Sequence, residues 1–297
     1  MSLRSKLKGT GVALVTPFKS NLEVDFTALG KVIDFVIEGG AEYVVTLGTT
    51  GETPTLEKQE KLDIIHYTNE KVNGRVPIVV GIGGNNTHAL IKDLQSFPLD
   101  KATAVLSASP YYSKPSQEGL FLHYKALAEA SPKPIILYNV PGRTGRNMSA
   151  ATTTRLAYEV PNIAGMKEAS GDMQQCMEIL RDRPKDFLVV SGDDGLGLSQ
   201  IACGMDGVIS VAANCFPKQY SEIVRLSLKN DFANATAQHY KLLEAYDHLF
   251  AENNPAGVKA FLYELGLIEN SLRLPVVPVS KELQQKIKKF VAEKLSR

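Results

Sequence analysis

Cysteine is scarce in this chain. Cys176, Cys203 and Cys215 are scattered, and no CxxC pair occurs. Three scattered cysteines make neither a disulfide framework nor a structural zinc site, and they fit buried thiols in a reducing compartment. Excess charge of one sign is also missing: 33 basic residues face 32 acidic ones, for a net charge of +1. Without a basic stripe there is no electrostatic footprint for nucleic acid. No window approaches 18 apolar residues, so a membrane-spanning helix is not expected. The N-terminal stretch is basic, but its apolar part, Val12 to Val15, is too short for the core of a secretory signal. The five histidines (His66, His88, His123, His239, His248) form no HExxH motif or close pair, so no catalytic metal is expected. What remains is a cytoplasmic globular chain of 297 residues, 44% hydrophobic, with ample material for a core.

Eight apolar runs recur along it: Val12–Val15, Tyr43–Leu47, Ile78–Ile82, Ala104–Ser107, Ile135–Asn139, Ile163–Lys167, Leu188–Ser191 and Val208–Val211. They start roughly 20 to 35 residues apart, the spacing of strand–helix units. The runs are continuously apolar rather than alternating, which means strands covered on both faces and hence a parallel sheet. Helical periodicity fills the gaps. Phe26, Leu29, Val32, Ile33 and Val36 share one face, Thr55-Leu56-Glu57 supplies a cap and an early acid for the next helix, and Ser116 opens another. Eight strands alternating with helices predict a (β/α)8 barrel over residues 1–222 rather than a doubly wound sheet, which more often has fewer strands and a glycine fingerprint after the first. Residues 223–297 read as a C-terminal helical extension packed on the barrel, with apolar faces at Leu242, Tyr246, Leu249 and Phe250, then Val258, Phe261, Leu262 and Leu265. A polar amphipathic helix from Lys281 to Leu295 ends the chain.

In such a barrel, catalytic groups stand at the C-terminal strand ends and the loops that follow. Lys167 ends the sixth run. Desolvation at a barrel mouth favours a neutral, nucleophilic amine, which can condense with a ketone as a Schiff base; the plain alternative is a lysine paired with Glu168. Tyr138 ends the neighbouring fifth run, and a phenol there can relay protons. Gly48-Thr49-Thr50-Gly51-Glu52 is small and hydroxyl-rich, suited to cradling a carboxylate, and it lacks the lysine of a nucleotide-binding loop. Arg143, after Pro141-Gly142, offers a guanidinium fork for a second carboxylate. Tyr111-Tyr112 reads as a hydrogen-bonding pair or as rim packing.

Taken together, Gly48–Glu52, Tyr111-Tyr112, Tyr138-Asn139-Val140-Pro141, Gly165-Met166-Lys167-Glu168, Ser191-Gly192-Asp193-Asp194 and Leu272-Arg273-Leu274-Pro275 give the chain a resemblance to the dihydrodipicolinate synthase / N-acetylneuraminate lyase family of class I aldolases. The resemblance spans nearly the whole chain. Arg143, in Tyr138-Asn139-Val140-Pro141-Gly142-Arg143-Thr144, is similar to members that join pyruvate to L-aspartate 4-semialdehyde; the sugar-acid lyases of the family share the tyrosine but generally lack this arginine. The resemblance implies Lys167 as the Schiff-base lysine, with Tyr138, Thr49 and Tyr112 as the proton relay. Tyr112 or its neighbour would then cross a dimer interface. It further implies Thr50 for the pyruvate carboxylate, Arg143 for the semialdehyde carboxylate, and backbone contacts from Gly192 and Ile209. It implies no cofactor and a homotetramer built as a dimer of dimers. In lysine-inhibited members an acid or histidine follows the Gly-Asn turn. Here Ala89 follows Gly84-Asn85, and Lys58 and Lys61 stand where histidines are common, so weak or absent lysine feedback is expected. A sugar-acid aldolase is the rival within the family. A catalytically silent sensor is a further rival, though it would be expected to have lost Lys167 or Tyr138.

Overall fold

The computed structural model describes residues 2–294. Eight parallel strands close into a barrel in sequence order: β1 (Gly9–Ala13), β2 (Tyr43–Thr46), β3 (Ile78–Gly81), β4 (Ala104–Ala108), β5 (Ile135–Asn139), β6 (Ile163–Glu168), β7 (Leu188–Ser191) and β8 (Gly207–Ser210). β8 returns to β1, with Gly9 opposite Gly207 and Gly11 opposite Ile209.

Because side chains alternate along a strand, the strands feed two cores, with β6 turning Lys167 rather than an apolar side chain inward. Tyr43, Val45, Val79, Ile136, Leu188, Val190 and Ile209 fill the barrel interior. Val44, Val80, Ile135, Leu137, Met166 and Val189 face the surrounding helices. Burial on both sides is why the runs read as continuously apolar.

Helix Phe26–Glu38 opens on Asp25, whose Oδ1 accepts from the Ala28 N–H at 2.9 Å, and helix Gln117–Ala130 opens on Ser116. Capping of helix Lys58–Val72 differs from the sequence reading. Thr55 ends a short 3-10 turn, and Glu57 is the cap, exchanging bonds with Glu60 across the first turn. The first strand also begins earlier than its apolar run, at Gly9. Glycine hides this segment from a hydrophobicity reading, yet it is required there: a Cβ on Gly11 would lie 2.2 Å from the Tyr43 ring. Cys176 and Cys215 are buried, but Cys203 is exposed, so only two of the three thiols are core residues.

The two barrel ends differ. At the N-terminal end Asp206 takes ion pairs from Arg4 (2.9 Å) and Arg183 (2.5 Å), and Leu7 packs into the interior. The C-terminal end carries the loops. Helix Pro217–Leu228 packs on β1 and crosses residue 222, so the division read from the sequence falls inside it. Helices Phe232–Phe250, Ala256–Glu264 and Lys281–Lys294 form the C-terminal part. Leu295, the expected end of the last of these, lies outside the described residues. No helix among the described residues is long and apolar enough to cross a membrane.

Candidate active site

At the C-terminal mouth lies a cavity of about 230 Å³, and its lining includes Thr49, Thr50, Tyr138, Arg143, Lys167 and Gly192. Six residues singled out from the sequence thus meet in one place, although 143 positions separate the first from the last.

β5 and β6 set the centre. Tyr138 is the register partner of Lys167, so both side chains project to the same, inner face. Lys167 is only 5% exposed, and its Nζ lies 4.4 Å from the centroid of the Tyr138 ring. Among the described residues neither Nζ nor the phenol oxygen has a hydrogen-bond or ion-pair partner, so both are free for a ligand. Glu168 does not pair with Lys167, because the next residue on a strand points to the opposite face. There its carboxylate accepts from Asn139 Nδ2 (3.0 Å), Gln175 Nε2 (3.1 Å) and the Ser170 N–H (2.6 Å). Asn139 also holds Asn147 and the Met148 N–H. The Asn and Glu of the two strand-end motifs therefore form a buried network behind the Lys167–Tyr138 pair, which stiffens it.

Gly192 packs beside the lysine; a Cβ there would lie 2.8 Å from Lys167 Cε. Asp193 lines the cavity, whereas Asp194 turns inward. Its carboxylate accepts from Ser210 Oγ (2.5 Å) and from the Val211 and Ala212 N–H groups (both 3.0 Å), which pins the end of β8. Burial pushes the Asp194 carboxyl above the usual carboxylate range, and these donors pull against it.

The hydroxyl-rich loop is a 3-10 turn over Thr49–Gly51, stitched by Thr53 Oγ1 to Gly48 O (2.9 Å) and by Thr16 Oγ1 to Gly51 O (2.7 Å). Arg143 follows β5 on the short helix Pro141–Thr144, and its Nη2 donates to Asn253 Oδ1 (3.0 Å) and Asn254 O (3.2 Å).

Two expected residues are not at this cavity. Tyr112 is 90% exposed with a left-handed backbone, while its neighbour Tyr111 lines an adjoining cavity of about 490 Å³. Ile209 is buried in the barrel interior and does not line the pocket. Conversely, Phe250 and Asn254 of the C-terminal part do line it, and sequence reasoning missed them. Asn253-Asn254-Pro255 is a visible break between two helical patterns, but nothing local ties it to Thr50, 204 positions away. Among the described residues no group of three or more His, Cys, Asp and Glu is placed to hold a metal.

The arrangement is a buried amine and a phenol flanked by a hydroxyl loop and a guanidinium, and it suits imine chemistry on a carboxylate-bearing ketone. Comparison with known proteins bears on this directly. The family model described as "Dihydrodipicolinate synthetase family" matches residues 6–294. A 4-hydroxy-tetrahydrodipicolinate synthase of Phocaeicola vulgatus is 49% identical over 291 residues, covering 98% of each chain. The crystal structure of dihydrodipicolinate synthase from Aquifex aeolicus superposes with a TM-score of 0.93 at 39% identity, over 96% of this chain and 97% of that one. A dihydrodipicolinate synthase from Acinetobacter baumannii, solved in complex with pyruvate, has the same TM-score and identity, over 96% of this chain and 98% of that one.

Proposed function

The chain belongs to the dihydrodipicolinate synthetase family, and we propose that it condenses pyruvate with L-aspartate 4-semialdehyde, through an imine on Lys167, to give 4-hydroxy-tetrahydrodipicolinate for lysine and diaminopimelate synthesis. The observation that carries the reading is the Lys167 amine: buried, without a carboxylate partner among the described residues, and 4.4 Å from the Tyr138 ring in a cavity that also holds Arg143. The named relatives favour this reading over a sugar-acid aldolase.

The steps follow from the groups present. The Lys167 amine attacks the keto carbon of pyruvate, and water leaves to give a protonated imine. That imine is an electron sink, so a methyl proton departs and an enamine forms. The enamine carbon attacks the aldehyde carbon. The amino group of the adduct then attacks the imine carbon and expels the lysine as the ring closes. Each step moves a proton, and Tyr138, in ring contact with Lys167, is the relay, joined by Thr49. Thr50 holds the pyruvate carboxylate and Arg143 that of the semialdehyde. Gly192, which lines the cavity, serves through its backbone, whereas Ile209 lies behind the pocket wall and takes no direct part. No cofactor is needed, since the imine itself accepts the electrons. The exposed Tyr112 completes the relay from a second copy, in a cytoplasmic homotetramer.

Assays with pyruvate held constant and the aldehyde varied test the substrate pair; turnover of sugar acids with none of the semialdehyde would reject it. Arg143→Ala is expected to raise the KM for the semialdehyde by at least tenfold while sparing imine formation with pyruvate; equal damage to both would remove its role. Lysine inhibition is weak in this reading. Lys58 (3.7 Å from Asp93) and Lys61, which lines the larger cavity, set positive charge against a cationic effector. Saturable inhibition at millimolar lysine would refute that.

A further inference from the structure

Asn254 sits where the C-terminal helices meet the barrel mouth, and its side chain is 94% removed from solvent at 6% exposure. Its Nδ2 donates to Thr50 Oγ1 at 3.1 Å, and this is the only hydrogen bond of its side chain among the described residues. Its Oδ1 is buried without a partner there. The same turn also holds Arg143, through Asn253 Oδ1 and the Asn254 carbonyl. The Thr50 loop is tied to the C-terminal part a second time. Glu52, two residues on, pairs with Lys259 at 2.5 Å and accepts from the Arg273 N–H at 3.1 Å.

A threonine hydroxyl has one proton and two lone pairs. Once a lone pair of Thr50 Oγ1 accepts from the Asn254 amide, its proton is left for another acceptor, and Thr50 lines the cavity. We propose that Asn254 is a positioning residue for the reaction: its amide turns the Thr50 hydroxyl so that it donates into the cavity, toward the carboxylate of the keto acid. The inference rests on the reading of Thr50 as the pyruvate carboxylate's partner. The C-terminal helices thereby help select the keto acid, although none of their side chains takes part in the chemistry.

The test is a double-mutant cycle in the full-length enzyme with Asn254→Ala, Thr50→Val and the pair, reading kcat and the KM for pyruvate. Asn254→Asp is added as a variant of the same shape that cannot donate as a carboxylate. Each single change is expected to raise the KM for pyruvate on the order of tenfold, as for one lost bond to a charged group, with kcat much less affected. The double variant should be no worse than Thr50→Val. Independent, multiplicative effects would overturn the proposal, as would an Asn254→Asp enzyme with wild-type KM. A Thr50→Val enzyme with unchanged KM would instead remove the reading of Thr50 on which the proposal stands, so the two failures are distinguishable.

Discussion

A methyl group at position 192 would lie 2.7 Å from Ala169 Cβ and 2.8 Å from Lys167 Cε, closer than such carbons pack. The lysine tip is the softer neighbour, so Gly192→Ala is expected to push it off line. A displacement of that size should cut kcat about a hundredfold and leave the fold intact, since misplacing a reacting group by about 1 Å costs on this order. Steady-state kinetics with circular dichroism checks this; a fully active Gly192→Ala enzyme would show that the close packing has no catalytic weight. His123 makes the pH-dependent case. Burial pushes its imidazole down to about 4, and its contacts are Thr87 Oγ1 (2.8 Å) and the Tyr124 ring. The ordinary value is about 6.5, so between 6.5 and 4 the unfolded chain binds the proton and the folded one does not. Stability from this group is full above 6.5 and falls as the pH drops toward 4, by about 3 kcal/mol at most. Unfolding free energies of His123→Asn and wild type should therefore converge as the pH falls across that window; parallel curves would contradict the assignment.

Between elements, the decisive contact is the ion pair that fastens the β2 loop to helix Ala256–Glu264. Lys259 Nζ and Glu52 Oε1 meet at 2.5 Å with both side chains essentially without solvent contact. Lys259 also donates to Ser271 O at 3.0 Å and lies over the Phe18 ring. Burial pushes the Lys259 amine down to about 8, with Glu52 opposing. Removing one partner strands a buried charge, so Lys259→Met should destabilise by about 3–5 kcal/mol, while Lys259→Met with Glu52→Gln should recover much of that. Denaturant titration checks both; a double variant as unstable as the sum of its singles would show that the pair does not act as a unit. Beside it, Arg273 of the Leu272-Arg273-Leu274-Pro275 motif grips Glu60 through two oxygens (2.6 and 2.7 Å) and holds that carboxyl below its usual range. The late motif thus anchors the barrel's own helices.

At the scale of the molecule, the barrel was legible because strands buried on two faces must be apolar throughout, and each of the eight runs overlaps a strand, the first only at Val12 and Ala13. Ends were less legible. Gly9 to Gly11 carries no hydrophobic signal, since steric need for the absence of a side chain leaves no trace in an apolar count. Lys167, Tyr138, Thr49, Thr50 and Arg143 could be found because barrel geometry nominates strand ends, and Gly192 through the family resemblance. Asn254 and Phe250 could not, because their place depends on how the C-terminal helices dock. Tyr112, lying outside this chain's own cavity, belongs to a site completed by assembly if the proposed tetramer holds. All of the proposed roles depend on a covalent bond between one side chain and the keto acid. Incubation with pyruvate followed by borohydride reduction and peptide mass spectrometry measures that bond. The account predicts a single reduced pyruvyl adduct on Lys167, absent from a folded Lys167→Ala protein; no adduct, or one carried on a different lysine, would contradict it.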